Sequence, residues 1–272
     1  MELELTGKVV LVTGGSKGIG LAVARAFCAE GARVAIVSRE QANIDAALLE
    51  LAQQGLHASG FAANLSDAQQ ADQVVNRIEQ EVGPIDVLVN SAGAARRREA
   101  DQLDSAAWQD AMQAKFFPYI HAQDAVLRRW RNTAQVPAAS PVGRFARAIV
   151  NIIGSGGKHP TSTHLAGGAA NAALMLATAG LAHYHARFGI RINAINPAST
   201  LTGRVDQAIA LEAARLGVDA QQALAESQAA IPMGRYADPR EVADVALFLA
   251  SARASYVVGA MITLDGGAKP VI

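Results

Sequence analysis

The sequence predicts an α/β protein, a single domain built on a doubly wound parallel sheet. Three observations predict it. Apolar, β-branched runs alternate with segments at helical spacing from end to end of the 272 residues. A glycine-rich loop follows the first apolar run, where open α/β sheets bind phosphate. No linker, internal repeat or low-complexity tract divides the chain.

Val9-Val10-Leu11-Val12 is a continuous apolar run, the mark of a strand buried on both faces. Glycines follow, then a helix over Leu21–Glu30 stopped by Gly31. Arg33–Val37 reads as the second strand, Gln41–Gln54 as a helix closed by Gly55, and His57–Ala63 as a short third strand. Ala68–Val82 is helical up to Gly83-Pro84, Ile85–Asn90 is strand four, and Asp104–Trp130 reads as one long helix. Ala146–Ile153, Leu165–Phe188 and Arg191–Asn196 follow as strand, helix and strand. Pro239–Ala250 has proline in its first turn, as helices tolerate, and Met261–Leu264 is a last strand before Asp265-Gly266-Gly267. Two stretches break the rhythm. Arg131–Phe145 reads as a surface loop, and Ser199–Met233, with a helical pattern of its own, as a lid over a substrate.

Composition narrows the function. Net charge is zero, so nothing favours nucleic acid or an anionic membrane as partner. Cys28 is the single cysteine, which excludes an intramolecular disulfide and a multi-cysteine zinc site; no metal is expected. The acidic start Met1-Glu2-Leu3-Glu4 lacks the basic region of a signal peptide, and a cytoplasmic location is expected. Leu165–Ala182 is long and apolar, but its Ala and Gly carry little hydrophobicity per residue, and a close-packed core helix is the better reading.

The run Thr13-Gly14-Gly15-Ser16-Lys17-Gly18-Ile19-Gly20 lies between a buried strand and a helix. A pyrophosphate needs bare backbone and a helix N-terminus there, because a Cβ would hold it away from the amides. Many NAD sites carry an acid at the end of the second strand for the ribose hydroxyls. That position holds Ser38, followed by Arg39, and Lys17 lies in the glycine loop. Two cations and no acid at that position favour a 2′-phosphate, hence NADP(H); the plainer reading is two solvated surface charges.

With these residues assembled, the chain resembles the short-chain dehydrogenase/reductases over nearly its whole length. Thr13–Gly20 matches that family's glycine motif, and Asn64-Leu65 stands where the family contacts adenine. Asn90-Ser91-Ala92-Gly93 matches its Asn-Asn-Ala-Gly. Arg191-Ile192-Asn193-Ala194-Ile195-Asn196-Pro197 and Thr202 match the run around its Pro-Gly, with Ala198 for Gly. Gly234-Arg235, Pro239 and Asp265-Gly266-Gly267 complete the pattern. The resemblance implies a Rossmann fold, a nicotinamide cofactor, a small-molecule substrate and assembly as a homodimer or homotetramer.

It also implies a proton relay of Ser, Tyr, Lys and Asn, which this chain largely lacks. Aligning Ala172-Ala173-Leu174 with the residues after the family lysine puts Asn171 at the lysine position and Gly167 at the tyrosine position. No Tyr-x-x-x-Lys occurs in the chain. Ser155, in Gly154-Ser155-Gly156-Gly157, survives near the end of strand five. Counting from Trp108, the asparagine position holds Lys115, which shares a helical stripe with Met112 and Tyr119. His164 stands seven residues before Asn171, a spacing that divergent enoyl-acyl-carrier-protein reductases of the family use for their tyrosine, and 164, 168 and 171 share one helical face. An imidazole there can donate a proton near neutral pH, and a neighbouring ammonium depresses its pKa. Plainer readings are a lysine snorkelling from a subunit interface and a polar residue at a helix start. Arg96-Arg97-Arg98 either holds an anionic substrate, a carboxylate or acyl thioester, or is a solvated charge run.

Two functions follow. One is an NADP(H)-dependent oxidoreductase moving a hydride between the nicotinamide and a carbonyl/alcohol or activated alkene. Its acid/base site is non-standard, with Ser155 orienting the substrate and His164 or Lys115 handling the proton beside Asn171. The other is a non-catalytic NADP(H)-binding protein, a redox sensor or assembly subunit.

Overall fold

The computed structural model describes residues 2–93, 95–133, 147–203 and 205–270. Its strands are β1 (Val9–Thr13), β2 (Arg33–Ser38), β3 (Ala58–Ala62), β4 (Val87–Asn90), β5 (Arg147–Ile152), β6 (Ile190–Pro197) and β7 (Met261–Leu264). They form one seven-stranded sheet in the order β3-β2-β1-β4-β5-β6-β7, with every pairing parallel. The order reverses between β1 and β4, so the loops leaving these two strands part and open a crevice at their carboxyl ends.

Parallel strands need crossovers, and helices supply them. These are α1 (Gly18–Ala29), α2 (Gln41–Ala52), α3 (Ala68–Glu81), α4 (Ser105–Ala111), α5 (Phe117–Thr133), α6 (Leu165–His185), α7 (Val205–Leu216), α8 (Ala220–Ala229) and α9 (Pro239–Ala250). Successive strand residues point to opposite faces, so the sheet has two cores. Val10, Val12, Val34 and Ile36 pack under α1, α2 and α9 with Phe27, Ile44, Leu51 and Leu249. Val9, Leu11, Leu88, Ile149 and Ile192 pack under α3 and α5 with Val75, Ile78 and Trp130. Aspartates start several helices: Asp67 accepts from the Gln69 and Gln70 amides, and Asp238 forms a capping box with Glu241.

The predicted helix over Asp104–Trp130 is three pieces. Between α4 and α5 lies a π turn, Met112–Phe116, in which the Phe117 amide donates to the Met112 carbonyl. Pro118 is the physical reason. It has no N–H for the Ala114 carbonyl four residues earlier and its ring crowds that oxygen, so the helix widens by one residue. The predicted surface loop Arg131–Phe145 is also corrected in part. Its first three residues continue α5, and 134–146 lie outside the described residues.

The insert Ser199–Met233 contains α7 and α8, whose Ile209, Ala213 and Ala223 make a small core with Ile231 and Tyr236. The segment Ser162–Phe188 passes a length-and-composition test for a membrane span at mean hydropathy 1.4, but half of that window is buried inside this fold. Its α6 packs on β6, as a core helix does.

Candidate active site

The crevice begins at β1. Gly14 and Gly18 have φ of 67° and 53°, left-handed values that favour glycine. A Cβ on Gly14 would lie 2.8 Å from Ala92 Cα and the Ser91 carbonyl oxygen, and one on Gly20 would lie 2.8 Å from the Gly14 carbonyl carbon. The loop therefore closes against the Asn90–Gly93 strand end and presents bare backbone at the N-terminus of α1. Opposite it stands Thr202, whose Cγ2 lies 3.2 Å from where a Gly18 Cβ would be. Ser16 donates to Ser38 Oγ at 3.0 Å, tying the loop to the end of β2, with Lys17 and Arg39 exposed beside it. Ile19 turns down to pack on the core.

Asn90 is fully buried, and its side chain faces the sheet. Thr13 Oγ1 donates to Asn90 Oδ1 (3.2 Å), Asn90 Nδ2 donates to Asn151 Oδ1 (3.0 Å), and Asn151 Nδ2 donates to Thr178 Oγ1 (2.9 Å) and Gln123 Oε1 (3.2 Å). This chain of buried amides joins β1, β4, β5, α5 and α6. The Ser91 and Ala92 amides donate to Thr13 Oγ1, so β4 ends in a fixed turn. Asn64 is exposed and accepts from the Ser66 amide, while Leu65 is buried. Pro197 is buried at the end of β6.

The second half of the site gathers at the ends of β5 and α6. Gly154 has φ 124°, and a Cβ there would lie 3.3 Å from Asn171 Nδ2 and 3.9 Å from the Pro197 carbonyl. Ser155 opens a tight turn whose first carbonyl accepts from the Lys158 and His159 amides, and its side chain is half-buried between two glycines. Gly156 abuts the His164 ring, with a Cβ position 3.1 Å from Cδ2. Asn171 is buried, with no partner for Oδ1.

His164 does not lie on a face of α6 with Gly168 and Asn171; it closes a short 3₁₀ turn, Ser162–His164, just before the helix. From there its imidazole folds over Gly167. A Cβ at Gly167 would collide with Cε1 and lie 2.7 Å from each ring nitrogen. Nδ1 is buried without a partner. Burial above all, then the positive charges of Arg97 and Lys115, pull the imidazole down to about 4. The expectation of a proton donor near neutral pH is corrected in this respect: the ring is neutral there.

Lys115 points inward from the π turn and is 8% exposed. Its Nζ donates to Tyr119 Oη at 2.8 Å and to the Ile152 carbonyl at 3.3 Å, and Tyr119 Oη donates to the same carbonyl. Gly93 makes room for this turn, since a Cβ there would collide with the Ala114 carbonyl oxygen that Pro118 leaves without its usual partner. The stripe of Met112, Lys115 and Tyr119 puts the tyrosine near the lysine, and the structure joins the two by a hydrogen bond beside the π turn.

Two further polar groups serve the fold and not the site. Arg191 is fully buried in β6 and donates to the Leu249, Ala250 and Ser251 carbonyls at 2.5, 3.1 and 2.9 Å, which closes the end of α9. Burial holds its guanidinium down at about 10. Cys28 donates to the His57 carbonyl, and burial raises its thiol to about 11, so it stays protonated.

The parallel order and the bare glycine cradle at the switch point define a dinucleotide-binding α/β protein. The chain belongs to the short-chain dehydrogenases, whose family profile, described as short chain dehydrogenase, matches residues 8–212. It is 35% identical over 269 residues to galactitol 2-dehydrogenase (L-tagatose-forming) of Cereibacter sphaeroides, covering 97% of this chain and 96% of that one. Among solved structures it is similar to L-sorbose reductase from Gluconobacter frateurii in complex with NADPH and L-sorbose, at a TM-score of 0.88 and 27% identity over the whole of both chains. Actinorhodin polyketide ketoreductase with NADPH is similar at a TM-score of 0.89 and 27% identity, covering 96% of this chain and 97% of that one. The protein is thus an oxidoreductase of the NAD(P)-dependent short-chain kind.

Proposed function

We propose that the protein is an NADP(H)-dependent oxidoreductase acting on a carbonyl/alcohol pair or activated alkene, with His164 in place of the family tyrosine. The fit of His164 over Gly167 carries this reading: the imidazole fills the space a side chain at the tyrosine position would take.

The cofactor, when bound, supplies or takes the hydride. Gly14, Gly18, Ile19 and Gly20 offer their backbone to the pyrophosphate, and Ser16, Lys17, Ser38 and Arg39 suit a 2′-phosphate. Asn64 and Leu65 flank the adenine end. Asn90, Ala92, Gly93, Pro197 and Thr202 frame the nicotinamide end. The NADPH complexes of the L-sorbose and polyketide reductases support this choice of cofactor.

A neutral imidazole does not protonate a ketone as a free acid; it donates an N–H hydrogen bond and polarises the carbonyl. Ser155 orients the same oxygen. Negative charge growing there during hydride transfer raises the His164 pKa against the Lys115 field and is offset by the Lys115 ammonium. The proton that completes the alcohol comes from the Lys115 ammonium, which is left as the amine. It passes either directly or through His164, whose ring takes a proton at one nitrogen as it gives one from the other. Asn171 lies beside them as a neutral neighbour.

The insert Ser199–Met233 serves in this reading as the substrate lid. A cytoplasmic location and a homodimer or homotetramer are part of the same proposal, with exposed Leu176 and Tyr184 on α6 as a surface suited to a second copy. The test is NADPH consumption against quinones, ketones and enoyl thioesters, with His164→Ala and Ser155→Ala beside the wild type. Turnover lost in both variants supports the site. Tight NADPH binding without turnover of any compound leaves the binding-only function instead.

A further inference from the structure

The loop after β4 carries Arg96, Arg97 and Arg98, of which the first two are exposed, and two hydrogen bonds tie it to the segment before His164. The Arg98 amide donates to the Thr163 carbonyl at 3.0 Å, and Arg97 Nη1 donates to Thr163 Oγ1 at 3.3 Å. Thr163 is the residue before His164, so this hydrogen bond holds the exposed Arg97 guanidinium to the chain next to the imidazole. Arg98 reaches Asp110 at 3.9 Å, and Arg96 is exposed. Arg97 makes no ion pair among the described residues.

Arg97 also comes within electrostatic range of α7. Glu212 is held below the usual carboxylate range first by its hydrogen bond to Arg215 and, more weakly, by Arg97. That carboxylate is already engaged by the Arg215 fork at 2.6 and 3.0 Å. Arg97 thus acts electrostatically on both His164 and Glu212 of the insert, and its one hydrogen bond among the described residues goes to the neutral hydroxyl of Thr163. A guanidinium has five donors arranged to receive a carboxylate in two parallel bonds.

We infer that the substrate is a carboxylate-bearing oxo or hydroxy acid whose carboxylate is read by Arg97 while its carbonyl or alcohol lies at His164. This rests on the proposed role of His164 and names the substrate class of that site. The charges acting on His164, from Arg97 and Lys115, are both positive, so a bound carboxylate also relieves the field that disfavours the imidazolium.

The experiment uses NADPH-loaded protein and matched acid and methyl-ester pairs of pyruvate, acetoacetate and phenylpyruvate, which differ by one charge. Reduction is followed by NADPH absorbance, and binding of the acids by calorimetry. We expect at least one acid to be used with a KM about tenfold or more below that of its ester. Arg97→Gln should bring the acid-to-ester ratio close to one, whereas Arg96→Gln, which removes the same charge next door, should keep the preference. NADPH affinity reports whether each variant is folded. Esters used as well as acids, an unchanged ratio in Arg97→Gln, or an equal effect of Arg96→Gln overturns the inference. If nothing is reduced, acid binding that depends on Arg97 upholds the substrate class and ends the enzymatic reading. Absence of acid binding overturns the substrate class.

Discussion

The imidazole of His164 stands over Gly167 so closely that any side chain at 167 must displace it. Gly167 lies inside α6, where alanine is a better helix former by about 1 kcal/mol, so Gly167→Ala perturbs the ring rather than the helix. The expected outcome is a fall in kcat of about 100-fold or more, the usual weight of a positioned acid or base, with NADPH affinity retained. Steady-state kinetics and a fluorescence titration measure the two. Full turnover in this variant removes His164 from the reaction.

The same burial makes His164 a source of acid lability. Its folded-state value, about 4, lies below the ordinary histidine value of 6.5, so the unfolded chain binds the proton more readily. Stability is therefore unaffected above about pH 6.5, falls as pH drops toward 4, and is lowest below it. His185 is also shifted downward, by burial and then by Arg131 and Arg187, and adds a loss of the same sign. His164→Gln should flatten the fall of the urea midpoint between pH 6.5 and 4 without abolishing it. Identical slopes in variant and wild type contradict the buried, neutral ring.

Cofactor choice is testable at the end of β2. Arg39→Asp replaces the exposed cation by a carboxylate next to Ser38, the position where NAD sites carry their acid. NADPH affinity should weaken by about tenfold or more while NADH affinity holds or improves, as equilibrium titration will show. A variant that still prefers NADPH would move 2′-phosphate recognition away from Arg39.

Arg191 is expected to matter for stability alone. Replacing it with Met leaves three buried carbonyls without their donor and should cost about 3 kcal/mol or more, read from chemical denaturation. Lysine keeps the charge but not the fork and should recover only part of the loss. If Arg191→Met unfolds at the wild-type midpoint, the α9 end does not depend on this donor.

The strands were legible because burial on both faces writes itself as unbroken Val, Ile and Leu. The run Met261–Leu264 matches its strand to the residue, and Val9–Val12 falls one short of its strand. The cofactor cradle was legible because only glycine tolerates such backbone approach. The acid/base half was harder. Asn171 follows from the alignment of Ala172-Ala173-Leu174, and His164 from a count of seven residues back along one helical face, but the helix begins after His164, and a 3₁₀ turn redirects its ring over Gly167. Asn90 shows a different limit: its motif marks the place, while its side chain bonds inward to Asn151. No spacing rule reveals that Arg191 in β6 closes a helix about 60 residues later, since such a contact exists only once the sheet has formed.

The π turn at Met112–Phe116 alters how the lysine in this site is to be understood. An α-helix advances about 100° per residue, so deleting one residue from that turn would rotate α4 against α5 by about that angle. Lys115 would then leave the Ile152 carbonyl, and the Gly93 contact with the Ala114 oxygen would open. The ammonium is therefore held by a count of residues as much as by its own identity. Rebuilding this centre in a relative would require grafting the interval from Gly93 through Pro118 with its length intact, because a lysine exchanged at one position of an uninterrupted helix would face another way.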